Sequence, residues 1–237
     1  MASFQGLIRR NIINTNAQFE RLGYVSSNVS NYNTTGYRAV RFEQVLDENG
    51  YLDGVVRRDF QPGASLRTDQ TFDVAITGTG FIPVTSKTGD VTYTRDGSFK
   101  LDREGYLITN DNCLVGDGIK IPANYNDVRI KPNGEVTVIS ENGDPEKKIG
   151  TIPLVNFQNP EGLKATDNNK YIATNDSGEP VLVTNHQYIR QGALERPNIN
   201  MYDQVNDVMR LNASMLASFK LMKTVDDMYN KAINMKQ

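Results

Sequence analysis

The chain is poor in the side chains that carry most enzyme and metal chemistry. It has one cysteine, one histidine and no tryptophan. A single cysteine, Cys113, excludes an internal disulfide, and one histidine with one cysteine cannot build a His/Cys zinc cluster. Cys113 therefore reads as a small buried hydrophobe. A Ser-His-Asp or Cys-His site would have to use His186. That residue stands in the polar run Thr184-Asn185-His186-Gln187, which reads as surface. A charge surplus is lacking too: 26 Lys and Arg stand against 28 Asp and Glu, for a net charge of −2. With no dense basic run, the chain does not have the footprint of a nucleic-acid binder. Nor does any stretch approach the roughly 20 apolar residues that span a bilayer, so no direct membrane span is expected. Arg9 and Arg10 follow Leu7 and Ile8, and no apolar core with a small-residue cleavage site comes next, so no cleaved secretory signal is expected.

Motifs that resemble binding loops fail on inspection. Gly78-Thr79-Gly80 begins like a dinucleotide loop, but Pro83 takes the place of the third glycine and no helix follows. Asp47-Glu48-Asn49-Gly50-Tyr51 begins like a calcium loop, but its glycine comes early and Tyr51 stands where an oxygen ligand is needed. Acidic residues are scattered, and sequence alone does not pair two of them into a glycosidase site. No catalytic residue, cofactor or metal ion is implied, and nothing in the sequence supports an enzyme.

What the chain does have is periodicity at its two ends. Phe4, Leu7, Ile8, Ile12, Phe19, Leu22, Val25 and Val29 fall mostly three or four apart. This predicts an amphipathic helix from about 4 to 30 with a narrow, coiled-coil-like seam. A second long helix is predicted from about 200 to 233. Asn200 suits its N-cap and Asp203 its positively polarised start. Its seam includes Val208, Met215, Phe219, Met222, Met228 and Tyr229. Six of the seven methionines stand at 201, 209, 215, 222, 228 and 235, close to a heptad. Methionine adapts to irregular apolar gaps. The stripe reads first as the seam of an intramolecular helix pair, and it also suits contacts with other subunits.

Between the helices lie short strands and turns. Phe72, Val74 and Ile76 alternate with polar or small residues, as a half-buried strand does. Asp96-Gly97, Glu104-Gly105, Asp117-Gly118, Asn133-Gly134 and Asn142-Gly143 punctuate four- to six-residue apolar runs from Phe81 to Phe157. The predicted class is α+β: an all-β central domain of hairpin strands, flanked by long terminal helices that pair as an antiparallel coiled coil. The expected domains are residues 1–33 with 200–237 as the helical part, 34–70 with 185–199 as an extended connector, and 71–184 as the β domain. In the connector, Asn49-Gly50 and Asp53-Gly54 read as hairpin turns. The switch from helix to β falls at Ser26–Phe42, where Asn31, Asn33, Thr34, Thr35 and Gly36 arrive together and should stop a helix. Residues such as Ile13, Tyr24 and Leu221 lie off the helix seams, which favours lateral assembly with further chains.

The run Ser27-Asn28-Val29-Ser30-Asn31-Tyr32-Asn33-Thr34-Thr35-Gly36-Tyr37 resembles the N-terminal signature of the bacterial flagellar rod and hook family. Phe72-Asp73-Val74-Ala75-Ile76-Thr77-Gly78-Thr79-Gly80-Phe81 is similar to the family's lead into its central domain. Tyr93-Thr94-Arg95-Asp96-Gly97-Ser98-Phe99 and Gly192-Ala193-Leu194-Glu195-Arg196-Pro197-Asn198-Ile199 match further family segments. The resemblance covers nearly the whole chain. It implies a structural subunit of the basal body, located in the periplasm or spanning the cell wall. It would be exported without a cleaved signal through the flagellar type III export apparatus. It would polymerise helically with itself and join other axial proteins of the rod and hook. Phe157-Gln158-Asn159-Pro160-Glu161-Gly162-Leu163 and Asn175-Asp176-Ser177-Gly178 resemble the distal-rod branch. Gly116-Asp117-Gly118-Ile119-Lys120-Ile121-Pro122 also suits the proximal rod. Leu216-Ala217-Ser218-Phe219-Lys220 departs from the Arg-aromatic-Glu element usual in the family. The junction residues carried over are Asn28, Asn31, Asn33, Thr35, Gly36 and Tyr37. A reading of a different class is a monomeric β-domain enzyme or carbohydrate-binding module with helical tails.

Overall fold

The computed structural model describes residues 4–46, 52–123, 125–139, 146–184 and 187–234. His186, the Asn49-Gly50 turn and the Asn142-Gly143 turn lie outside the described residues. The class is α+β, with two long helices and many short antiparallel strands. The chain divides into two compact units, Met1–Tyr32 with Val40–Arg58 and Ile199–Gln237, and Asn33–Ala39 with Asp59–Asn198.

The first unit holds helix α1 (Phe4–Ser30), strands β1 (Val40–Leu46) and β2 (Leu52–Arg58), and helix α2 (Met201–Asn234). Helix α1 ends where the Asn and Thr cluster begins. Asn31 N–H donates to the carbonyls of Ser27 and Asn28, both at 3.1 Å, and its side-chain amide also caps the Ser27 carbonyl at 2.9 Å. Helix α2 starts with Asn200, whose Oδ1 accepts the Tyr202 N–H at 3.1 Å, as an N-cap should. Asp203 in the first turn and Lys231 in the last complement the helix dipole.

Strands β1 and β2 form a seven-pair antiparallel ladder from Val40↔Arg58 to Leu46↔Leu52. The expected turn at Asp53-Gly54 is not there. Gly54 lies inside β2 opposite Gln44, and the Phe42 ring lies against its Cα, where any Cβ would collide with the ring. Glycine serves here as space for an aromatic ring. The Phe42 ring in turn stacks on Tyr24 of α1, with centroids 5.8 Å apart, which gives this two-stranded ribbon the support it lacks alone.

The second unit contains β3 (Ser65–Arg67), β4 (Val74–Ile76), β5 (Ile82–Thr85), β6 (Val91–Thr94), β7 (Lys100–Leu101), β8 (Leu107–Ile108) and β9 (Leu114–Val115). It continues with β10 (Asp127–Ile130), β11 (Glu135–Ile139), β12 (Lys147–Thr151), β13 (Val155–Asn156), β14 (Lys164–Thr166), β15 (Lys170–Ile172), β16 (Val181–Leu182), β17 (Ile189–Gln191) and β18 (Ala193–Glu195). A seven-stranded sheet runs in the order β14-β15-β6-β5-β9-β8-β7, and β10-β11-β12 form a second sheet. The pairs β13–β16, β17–β4 and β18–β3 complete it. The main core gathers Val74, Ile82, Val84, Leu107, Val115, Ile152 and Leu154, all fully buried, with Cys113 at its edge. A second cluster is aromatic: Phe81, Tyr93, Phe157 and Tyr171 pack edge to face, with Phe60 against them. Such edge-to-face contacts contribute about 0.5–1.5 kcal/mol each beyond area burial.

Candidate assembly surface and its supporting residues

Within the first unit the two helices run antiparallel, joined by side-chain polar contacts. Asn11 Nδ2 donates to the Ser218 carbonyl at 3.1 Å. Gln18 Nε2 donates to Ser214 Oγ at 2.7 Å, Arg21 Nη2 to Asp207 Oδ1 at 2.7 Å, and Asn28 Nδ2 to Gln204 Oε1 at 3.1 Å. The partners descend on α2 as the donors ascend on α1. Asn11 and Gln18 stand seven apart, as do Arg21 and Asn28, and as do Asp207 and Ser214. The buried residues of the pair are correspondingly mixed: Thr15, Ala17, Gln18, Val25 and Asn28 on α1, and Leu211 and Ser218 on α2. Thr15 satisfies its hydroxyl by bonding back to the Asn11 carbonyl at 2.8 Å.

The predicted seam residues are distributed around this polar ladder. Val25 is buried at 5% exposure, and Ile8, Leu22, Met215 and Met222 are half-buried. Ile12, Phe19, Val29, Val208, Phe219, Met228 and Tyr229 are exposed, Phe19 at 51% and Met228 at 61%. The side chains of Phe4 and Leu7 lie outside the described residues. Apolar spacing alone centres the α1 face on Ile8, Ile12, Phe19 and Leu22. The polar ladder instead rotates α1 so that Asn11, Gln18 and Val25 point at α2. Ile12 and Phe19 are left at the flank. The methionine stripe is divided likewise, with Met215 and Met222 toward the pair and Met209 and Met228 outward. Val205, Leu216 and Leu221 add to the exposed apolar surface of α2. At one end of the pair, Ile8, Asn11, Leu221, Met222, Val225 and Asp226 line a groove.

The junction residues hold backbone geometry in both units. In the first, Asn28 is 2% exposed. Its Nδ2 donates to the Val40 carbonyl at 2.8 Å and its Oδ1 accepts the Val40 N–H at 2.9 Å, so one amide side chain completes the backbone of β1. Asn31 caps α1 as described. In the second unit Asn33 is exposed, and Thr35 Oγ1 donates to Asp96 Oδ1 at 2.6 Å. Gly36 has φ of +67° and a space that ends at the Arg95 carbonyl carbon, 2.6 Å from where a Cβ would sit. Its N–H donates to the Glu195 carbonyl at 2.8 Å. Tyr37 is buried.

Beside this loop lies a buried ionic cluster. Arg38 Nη2 contacts Glu195 Oε1 at 2.6 Å, and Arg95 Nε contacts Glu195 Oε2 at 2.9 Å. Gly63 N–H also donates to Glu195 Oε1 at 2.7 Å. Arg95 further donates to the carbonyls of Gly80 at 2.5 Å and Gly78 at 2.8 Å. Burial lowers the Arg95 pKa from its usual value and the Arg38 charge adds to that, while the Glu195 carboxylate opposes both. The Glu195 carboxylate thus holds three other segments of the unit, at Arg38, Gly63 and Arg95.

Residues 75–138 match the family described as Flagellar hook protein FlgE/F/G D1 domain. Over most of its length the chain is similar to curated proteins. It is 30% identical over 243 residues to flagellar basal-body rod protein FlgG of Buchnera aphidicola subsp. Schizaphis graminum, covering 91% of this chain and 94% of that one. It is 28% identical over 241 residues to FlgG of Agrobacterium fabrum, covering 90% and 92%. It is 28% identical over 229 residues to flagellar basal-body rod protein FlgF of Caulobacter vibrioides, covering 90% of each.

Proposed function

Because the chain belongs to the flagellar basal-body rod protein family, we propose that it is a structural subunit of the bacterial flagellar rod, of the distal-rod type. It polymerises helically into the axial drive shaft that links motor to hook. The observation that carries this reading is the pair of helices joined by polar rungs with apolar rows left outward. Burying a Phe, Met, Val or Leu side chain contributes about 1.5–3 kcal/mol. Ile12, Phe19, Val208, Phe219, Met228 and their neighbours therefore hold enough unspent apolar area to drive association with copies of the chain and with other rod and hook proteins. The coiled-coil character expected of the terminal helices is completed between chains in this reading. The subunit reaches the basal body unfolded, through the flagellar export apparatus, and no catalytic step is involved.

Electron microscopy of the purified, concentrated protein tests the assignment. Rod-like polymers are expected from the wild type, and Phe219→Asp should abolish them while leaving the circular dichroism of the β unit unchanged. Rods formed equally well by Phe219→Asp would remove the helix face from the interface.

A further inference from the structure

In the second unit a lysine, a cysteine and an aspartate meet. Lys170, the first residue of β15, is only 7% exposed, which is deep for a lysine. Its Nζ donates to Cys113 Sγ at 3.0 Å and to Asp111 Oδ2. Cys113, also 7% exposed, stands just before β9. Its position is set locally: its N–H donates to Thr109 Oγ1 at 3.1 Å, and that hydroxyl donates to Asp111 Oδ1 at 2.6 Å. In the sheet, β6 and β5 run between β15 and β9. Amine and thiol are thus in contact across two intervening strands, 57 residues apart in sequence. The Asp111 side chain, 29% exposed, connects the pair to solvent.

We propose that Cys113 and Lys170 form an oxidant-triggered cross-linking site, joined by an S–N sulfenamide bond when hydrogen peroxide reaches the thiol. The thiol sulfur attacks one peroxide oxygen, the O–O bond breaks, and the departing hydroxide takes the thiol proton to become water. This leaves a sulfenic acid, an electrophile that condenses with a thiol or with a backbone nitrogen; here the Lys170 amine takes the nitrogen's place. The chain has no other cysteine to compete as a resolving thiol. Lys170 Nζ, once it has released its ammonium proton to solvent, attacks the sulfur. The S–O bond breaks, the oxygen leaves with an amine proton as a second water, and the Nζ–Sγ bond forms. In total one peroxide is reduced to two waters, and the thiol–amine pair loses two hydrogens. The bond would close a loop of about 58 residues, long enough to restrict the unfolded chain appreciably.

The ionisation of Lys170 sets how much of the amine is free to attack. Burial lowers its pKa, but the hydrogen bonds to Asp111 and Cys113 and the Asp111 charge outweigh burial and raise it above the ordinary lysine value. Asp111 and Cys113 are the titratable groups that face it. The attacking amine therefore becomes more abundant as pH rises, and cross-linking accelerates from neutral to alkaline solution.

Peroxide treatment of the full-length protein, followed by intact mass measurement and peptide mapping, tests it. The expected result is a loss of two hydrogens, a linked peptide containing positions 113 and 170, and recovery of the starting mass with dithiothreitol. Cys113→Ser should abolish the link. Lys170→Arg, which keeps the cation but removes the amine, should give oxygenated thiol instead. A wild-type protein that gains oxygen at Cys113 with no linked peptide, or whose thiol resists peroxide altogether, overturns the proposal and leaves a buried ion pair.

Discussion

Glu195 and Arg95 form a buried ion pair at 2.9 Å, each side chain 1% exposed, across 100 residues of sequence. Arg38 shares the same carboxylate. Removing one partner of a buried pair costs about 3–5 kcal/mol because the other charge stays in the interior. Here Glu195→Gln leaves two guanidinium groups facing each other. The expected result is a loss at or above the lower end of that range, read as a drop in the urea midpoint of the β unit. An unchanged midpoint would mean that Arg38 and Arg95 find solvent when the carboxylate is gone.

The polar rungs of the helix pair differ in worth. Asn28→Ala strips both hydrogen bonds from Val40, which is itself buried, and leaving buried backbone groups unpaired costs about 1–3 kcal/mol each. Arg21→Ala removes an ion pair whose side chains are 29% and 30% exposed, and such pairs typically contribute about 0.2–1 kcal/mol. Thermal unfolding of the two variants should rank Asn28→Ala clearly below Arg21→Ala. Equal losses would assign the β1 connection to other groups.

The long helices were legible in sequence because three- and four-residue spacing persists over many turns and few alternatives satisfy it. Which face each helix turns inward was not legible. Apolar periodicity points to Ile12 and Phe19, whereas Asn11, Gln18 and Asn28 decide the rotation through hydrogen bonds that hydropathy does not register. Strands β10 and β11, joined through Asn133-Gly134, were readable because each partner lies just beyond a turn, whereas Asp96-Gly97 joins no paired strands: β6 pairs with β5 and β15, and β7 with β8. Strands β3, β17 and β18 were not, since their partners lie more than a hundred residues away and Ser65, Leu66 and Arg67 show no buried alternation. Arg95 and Glu195 stand in recognisable family segments, but a lone charged residue reads as surface until its partner is known. The contact of Lys170 with Cys113 had no local signal at all.

Gly36 tests the junction directly. Its φ of +67° alone costs a substituted side chain about 1–3 kcal/mol, and a Cβ would stand 2.6 Å from the Arg95 carbonyl carbon. Backbone cannot yield as a flexible side chain can. Gly36→Ala should therefore destabilise the second unit by more than Asn33→Ala, since Asn33 is exposed. Urea titration followed by circular dichroism gives the comparison. A Gly36→Ala protein as stable as Asn33→Ala would mean that the loop can move off Arg95 without loss.

Asp111 should govern the acid limb of stability. Burial by itself would raise its pKa, but the hydrogen bonds from Lys170 and Thr109 and the Lys170 charge hold it down, to about 2 from an ordinary 3.8. A folded pKa below the unfolded one means that the unfolded chain takes up protons first. The stabilisation is complete above about pH 4 and is lost as pH falls toward about 2. Lys170, raised in the folded state, has the opposite sign. Its contribution is present below the unfolded lysine pKa and is lost as pH climbs through the folded value. Asp111→Asn should flatten the stability profile between about pH 4 and pH 2. It should also remove the hydrogen bond and charge that hold the Lys170 proton, so the alkaline limb moves to lower pH. Urea midpoints measured across both limbs would show the two changes together. A variant whose acid limb runs parallel to that of the wild type would show that another carboxylate controls acid unfolding.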